Sequence, residues 1–179
     1  MHITLIMVST ANGKISHGDD PDETSWSSTE DQSLFSSLKQ THNLIVMGSE
    51  TYLANKKRMK LQNNVLRIVF TKNPKKYRTS EIADQLEFVN TAPKKLVHNL
   101  ESRGYTKMLL VGGSEVNALF FKNNLIDKLH LTIEPRMFGL GKNIIAEQDY
   151  AVQLQLVSVE KIKNPAAEPA GYELKHDFG

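Results

Sequence analysis

The sequence predicts an α/β domain built on a mostly parallel sheet. Three observations predict it. Continuous aliphatic runs recur through the first two thirds of the chain, with helix-like segments between them; such runs suit strands covered on both faces. Two of the runs end in glycine and lead straight into a helix-like stretch, at "LIVMGSETYL" and "LLVGGSEVNALFF". From residue 127 the pattern changes, and "KLHLTI", "VQLQLVSV" and "YELKHDF" alternate apolar and polar residues. Alternation predicts antiparallel strands with one wet face. The expected architecture is therefore a central, mostly parallel sheet with an antiparallel C-terminal edge hairpin.

The elements follow in chain order. Ile3–Val8 opens as a strand. Residues 28–41 read as a helix, because Ser28 with Asp31 three residues on resembles a capping box and Leu34, Phe35 and Leu38 fall at helical spacing. Leu44–Met47 is a strand, and Ser49 opens the next helix. Strands Val65–Thr71 and Leu86–Val89 follow. Pro93 can begin a helix that buries Leu96, Val97 and Leu100 and stops near Gly104. Met108–Val111 is a strand, and 114–122 is the helix after the double glycine. The loop "KNPAAEPAG" joins the last two strands.

Composition narrows the function. The 179 residues predict one domain over 1–179, with no internal repeat or linker. Hydrophobic residues make 40% and charged residues 23%, a mixture that buries a core. A net charge of +2 argues against a dedicated nucleic-acid binder. The absence of cysteine excludes disulfides, thiolate catalysis and zinc–thiolate sites. "MHITLIMVST" lacks a basic leader, and no apolar run is long enough to span a bilayer. No membrane partner and a cytoplasmic location are expected.

The double glycine has two readings. Glycine permits positive φ at a tight turn. It also lets an anion reach free N–H groups at a helix N-terminus, where Ser114 can add a capping hydroxyl. Gly48, Ser49 and Thr51 repeat the design, and two such turns would share the sheet edge where open α/β folds bind ligands. Neither GxGxxG nor GxxxxGK[ST] is present. Lys14 follows the Asn12–Gly13 turn and either meets a ligand or is solvated. The acidic run Asp19, Asp20, Asp22, Glu23 lacks EF-hand spacing. Trp26, the only tryptophan, either closes over a ring-shaped ligand or packs. Thr71 and Lys72 close a strand with Lys75 and Lys76 nearby, a place to meet a 2′-phosphate; "KKRMK" at 56–60 adds charge. Glu134 either positions a polar substrate or forms an ion pair. The histidines lack metal-ligand spacing, so no metal is expected, and no Gly-x-Ser-x-Gly elbow supports hydrolysis.

In order, "STANGKI", "SWSSTED", "LIVMGSETY", "LLVGGSEVNALFF", "LIDKLHLTIEP" and "FGLGKNI" resemble the reductase domain of the bacterial riboflavin-pathway deaminase/reductase, within the dihydrofolate-reductase-like superfamily. The resemblance implies a three-layer α/β/α fold, NADPH as hydride donor and a small heterocyclic substrate over the nicotinamide. It implies that Gly48, Ser49 and Thr51 form the first cofactor turn. Gly112, Gly113, Ser114, Glu115 and Val116 would form the pyrophosphate turn, with Thr71 and Lys72 near the adenosine phosphate. Thr10, Asn12 and Lys14 fall where substrate and nicotinamide meet. Trp26 and Arg67 match substrate-side positions. Lys14, Asn12 and Glu134 are then the candidates for polarising the acceptor. The implied activity is that of a 5-amino-6-(5-phosphoribosylamino)uracil reductase, with a dihydrofolate or pteridine reductase and a nucleotide-binding module without turnover as alternatives. Domains of this kind often pair, and the apolar alternation at Leu154, Leu156 and Leu174 points to a homodimer.

The chain departs from the family at Asn12, where Asp is usual, at Val111 before the double glycine, where Glu is common, and at Asn55-Lys56-Lys57, where Asp-Asp-Pro is usual. Residues 3–8 hold no carboxylate, the nearest later ones lying in 19–31. Poor turnover of dihydrofolate is the expectation that follows.

Overall fold

The computed structural model describes residues 1–18 and 26–161. Its strands are β1 (His2–Thr10), β2 (Leu44–Gly48), β3 (Leu66–Phe70), β4 (Leu86–Val89), β5 (Lys107–Leu110) and β6 (Lys128–Glu134). Its α-helices are α1 (Thr29–Gln40), α2 (Ser49–Asn55), α3 (Pro93–Ser102) and α4 (Ser114–Lys122), and a 3-10 helix runs over Pro74–Ser80. The strands form one sheet in the order β4-β3-β2-β5-β1-β6. Every pairing in it is parallel. All carboxyl ends therefore lie on one edge, where the two glycine turns were expected to meet.

Alternate residues of each strand feed opposite faces. Leu5, Val46, Ile68 and Leu110 pack with Leu96 and Leu100 of α3 and Phe120 of α4. Ile6, Ile45, Met47 and Val69 pack on the other face, against Leu34, Phe35 and Leu38 of α1. The result is three layers, α/β/α. Two of the three expected caps form; the third does not, since Gly113 and not Ser114 is the N-cap of α4 and the Ser114 hydroxyl donates to the Asn143 carbonyl instead. The Ser28 side chain accepts from the Asp31 amide, and Pro93 sits in the first turn of α3.

The antiparallel C-terminal hairpin is not found among the described residues. "KLHLTI" becomes β6, which runs parallel to β1 from Thr4–Lys128 to Thr10–Glu134. Its alternation comes from its place at the sheet edge. Thr132 and Glu134 turn inward and are buried, while Leu131 and Ile133 stay exposed. A strand with one wet face needs only an edge position, not an antiparallel neighbour. Residues 152–159 form no strand, and Leu154 and Leu156 are exposed. The expected strand at 172–178, Leu174 and the acidic residues 19–23 lie outside the described residues.

Candidate active site

The two glycine turns do meet. The Gly48 amide donates to the Gly112 carbonyl at 2.8 Å. A Cβ on Gly48 would lie 3.1 Å from Cγ2 of Val116, so glycine there lets α4 pack against β2. Gly112 takes φ +85°, and the Gly112–Gly113 peptide is cis. Gly113 caps α4 at φ −79°, an ordinary value for any residue. Its missing Cβ would face only the Thr51 hydroxyl at 3.4 Å. The two glycines thus divide the two readings: Gly112 answers a backbone requirement, and Gly113 leaves room in front of a helix N-terminus.

A strap crosses beside this turn. Ser114 Oγ donates to the Asn143 carbonyl, and the Ala146 amide donates to the Ser114 carbonyl. Lys14 Nζ donates to Asn143 Oδ1 at 2.8 Å. Asn12 Nδ2 donates to the Phe138 carbonyl at 2.8 Å, and its Oδ1 accepts from Thr10 Oγ1 at 2.7 Å. A side chain on Gly141 would meet the Ser16 carbonyl at 1.9 Å, which explains that glycine. Lys142 reaches Glu50 of α2 at 2.9 Å. Thr10, Asn12 and Lys14 therefore tie the loop after β1 to the loop after β6. Trp26 packs edge-on against Phe138 in the same loop pair, ring centroids 5.3 Å apart.

One carboxyl group of the stretch 19–31 is buried at the site. Asp31 is buried on α1. Its side chain bonds with Thr132 of β6 and Ser27, and burial, with a contribution from Glu134, raises its pKa above the ordinary carboxyl value. Its backbone amide makes the cap that the sequence predicts, while its side chain turns inward. The signal was present: Asp31 shares the apolar stripe of Leu34, Phe35 and Leu38 at helical spacing, where an acid is unexpected. Glu134 Oε1 accepts from the Ser28 amide at 2.9 Å. Among the described residues no cation pairs with Glu134.

A cavity of about 1040 Å³ runs along the α1 face of the sheet. It extends from His42 and Lys107 at the amino ends of the strands to Thr51 and Gly113 at the carboxyl ends. Asp31 is its one carboxyl among the described lining residues, against the cations Lys39, Arg58, Lys60, Arg67 and Lys107. Arg67 on β3 is 6% exposed. Its guanidinium donates to the Lys60 and Val65 carbonyls. Burial lowers its pKa, and burial, followed by the charge of Arg67, lowers that of Lys39. Thr71 and Lys72 lie apart at the end of β3, where the Asn73 amide donates to Thr71 Oγ1 and Lys72 is exposed. Glu115 is exposed on the first turn of α4.

The sheet, the joined glycine turns and a buried acid over the cavity define an α/β domain of the dihydrofolate-reductase-like kind. The chain belongs to the RibD C-terminal domain family, which matches residues 1–167. No curated protein matches it. A Thermotoga maritima diaminohydroxyphosphoribosylaminopyrimidine deaminase/5-amino-6-(5-phosphoribosylamino)uracil reductase is similar in structure, with TM-score 0.64 and 17% identity over 81% of this chain. The chain spans about half of that protein, 48% of its length. A riboflavin biosynthesis protein from Shewanella sp. PV-4 matches at TM-score 0.62 and 18% identity, over 84% of this chain and 86% of its own. Dihydrofolate reductase from Enterococcus faecalis, complexed with NADP(H), matches at TM-score 0.59 and 21% identity, over 83% and 79%. No helix among the described residues is long and apolar enough to cross a membrane.

Proposed function

We propose that the domain is an NADPH-dependent reductase acting on a small heterocycle that carries an anionic group, in the manner of a 5-amino-6-(5-phosphoribosylamino)uracil reductase. The observation that carries this reading is a buried acid, Asp31, the one carboxyl among the described lining residues of a cavity whose other charged lining residues are cations. The residues at the glycine turns fit a dinucleotide. Gly113 leaves the space a Cβ would fill, Thr51 offers a hydroxyl, and α4 presents its N-terminal amides. The bound nicotinamide would supply a hydride to an electrophilic C=N or C=O carbon. Asp31, whose pKa burial raises, donates the proton to the heteroatom of that bond and is reprotonated from solvent. Lys14 and Asn12 are left the role of fixing the loops, since both are bonded to the strap. Lys39 and Arg67 take the anionic group of the substrate. Lys39→Ala should raise KM for a phosphorylated substrate about tenfold or more and leave its unphosphorylated analogue nearly unchanged. Equal effects on both, in steady-state kinetics, would remove Lys39 from this role.

NADPH over NADH rests on Lys72 at the end of β3. Lys72→Ala should weaken NADPH about tenfold with little change for NADH. Equal wild-type affinity for both nucleotides, by fluorescence titration, would count against it. Asp31 bonded to Thr132 also favours a second reading, a dihydropterin or dihydrofolate reductase. The expectation of poor dihydrofolate turnover rested on a first strand without a carboxylate, and Asp31 of α1 removes that ground. A soluble cytoplasmic homodimer remains part of the proposal.

A further inference from the structure

We propose that Glu134 is the positioning residue of this site, holding the first turn of α1 and so the Asp31 carboxyl group against the cavity. The inference rests on the reading of Asp31 as the acid. Glu134 ends β6 opposite Thr10 of β1 and is 5% exposed. Its Oε1 accepts from the Ser28 amide at 2.9 Å. Ser28 in turn receives the Asp31 amide on its hydroxyl at 3.3 Å. One carboxyl oxygen thus fixes the residue that caps α1, and the cap fixes the backbone of Asp31. Two residues back along β6, Thr132 bonds with the Asp31 side chain. β6 therefore grips α1 at two alternate positions, as the period of a strand requires.

Glu134 also acts through charge. A buried carboxyl group without a cation is costly, and a second one nearby disfavours ionisation of the first. Glu134 supplies the Coulombic part of what raises Asp31, while Thr132 and Ser27 act in the opposite sense through hydrogen bonds. The other charged and titratable groups lining this cavity are Lys39 on α1 itself, His42 before β2, Arg67 of β3, Arg58 and Lys60 after α2, and Lys107 of β5. Removing the charge of Glu134 while keeping its shape should let Asp31 ionise at lower pH. Removing the side chain should in addition loosen the cap.

The test reads Asp31 without turnover, so its failure is distinct from a failure of the reductase reading. The Asp31 carboxyl stretch is followed by infrared titration in protein labelled at its aspartates, and is assigned by its loss in Asp31→Asn. Glu134→Gln should lower the Asp31 midpoint with the Ser28 amide still protected from hydrogen exchange. Glu134→Ala should speed Ser28 exchange about tenfold. An unmoved Asp31 midpoint in folded Glu134→Gln overturns the proposal, as does unchanged Ser28 protection in Glu134→Ala. If the alanine variant does not fold, the glutamine variant decides alone.

Discussion

Asp31→Asn should lower kcat/KM for NADPH-dependent reduction by about two to four powers of ten, with little change in thermal stability. Asn keeps the size of Asp and can still accept a hydrogen bond from Thr132. It also removes an acid that burial makes costly to ionise, so no loss of stability is expected. The pH profile separates a chemical role from a packing role. With its pKa raised, Asp31 keeps its proton to higher pH than an exposed aspartate does. Wild-type activity should be full below that pKa and fall as the pH rises through it. The same sign holds for stability: Asp31 contributes most at low pH, and the contribution declines as it ionises. The Asn variant should lose the activity limb with the rate. Undiminished turnover in Asp31→Asn would remove Asp31 from the chemistry and return the choice to Lys14 or Glu134.

The glycine pair should separate under substitution. Gly112→Ala should destabilise the fold by about 2 kcal/mol, because φ +85° strains any side chain. The added Cβ also meets Met7 Sδ at 3.2 Å. For a chain of this size the melting midpoint should drop by about 4–8 °C. Gly113 differs. At φ −79° it carries no such strain, and the nearest atom to its Cβ is the Thr51 hydroxyl at 3.4 Å. Gly113→Val should leave a folded protein that has lost nucleotide. A diphosphate must come within about 3 Å of the backbone nitrogen to accept its hydrogen bond, and the valine methyls occupy that approach. Two charge-assisted bonds at roughly 1.5–3 kcal/mol each amount to about two to four powers of ten in affinity. Gly113→Ala is the milder control. A valine variant that melts like wild type and binds NADPH unchanged would sink the pyrophosphate reading of this turn.

Much of the fold was legible because it is written in short-range physics. Continuous aliphatic runs gave β1 to β5, Ser28 and Pro93 gave the starts of α1 and α3, and the glycines gave the strand-to-helix turns. The direction of β6 was not legible. Alternation reports how many faces are wet, and the side chains of Leu131 and Ile133 would alternate with Thr132 and Glu134 in either direction. The site was legible in part. The backbone turns at Gly48 and Gly112–Gly113 meet as expected, since parallel strands put both on one edge. Asp31 was read by name as a capping residue and otherwise only as one carboxylate of the stretch 19–31, because a side chain three positions after a serine satisfies the capping pattern whether it turns outward or in. Its pairing with Thr132 spans a hundred residues of chain, which local spacing cannot carry. Lys14 and Asn12 looked reactive beside a turn, and local spacing did not show their long-range bonds to Asn143 and Phe138.

Hydride transfer itself is the most direct measurement. The protein is given NADPH deuterated at the transferred position, with 5-amino-6-(5-phosphoribosylamino)uracil and, separately, dihydrofolate, and the products are weighed by mass spectrometry. A product carrying the deuterium, formed by wild type and strongly reduced with Asp31→Asn, is the expected result. NADPH bound at the glycine turns but left unoxidised with both substrates would contradict it and leave a nucleotide-binding module without turnover.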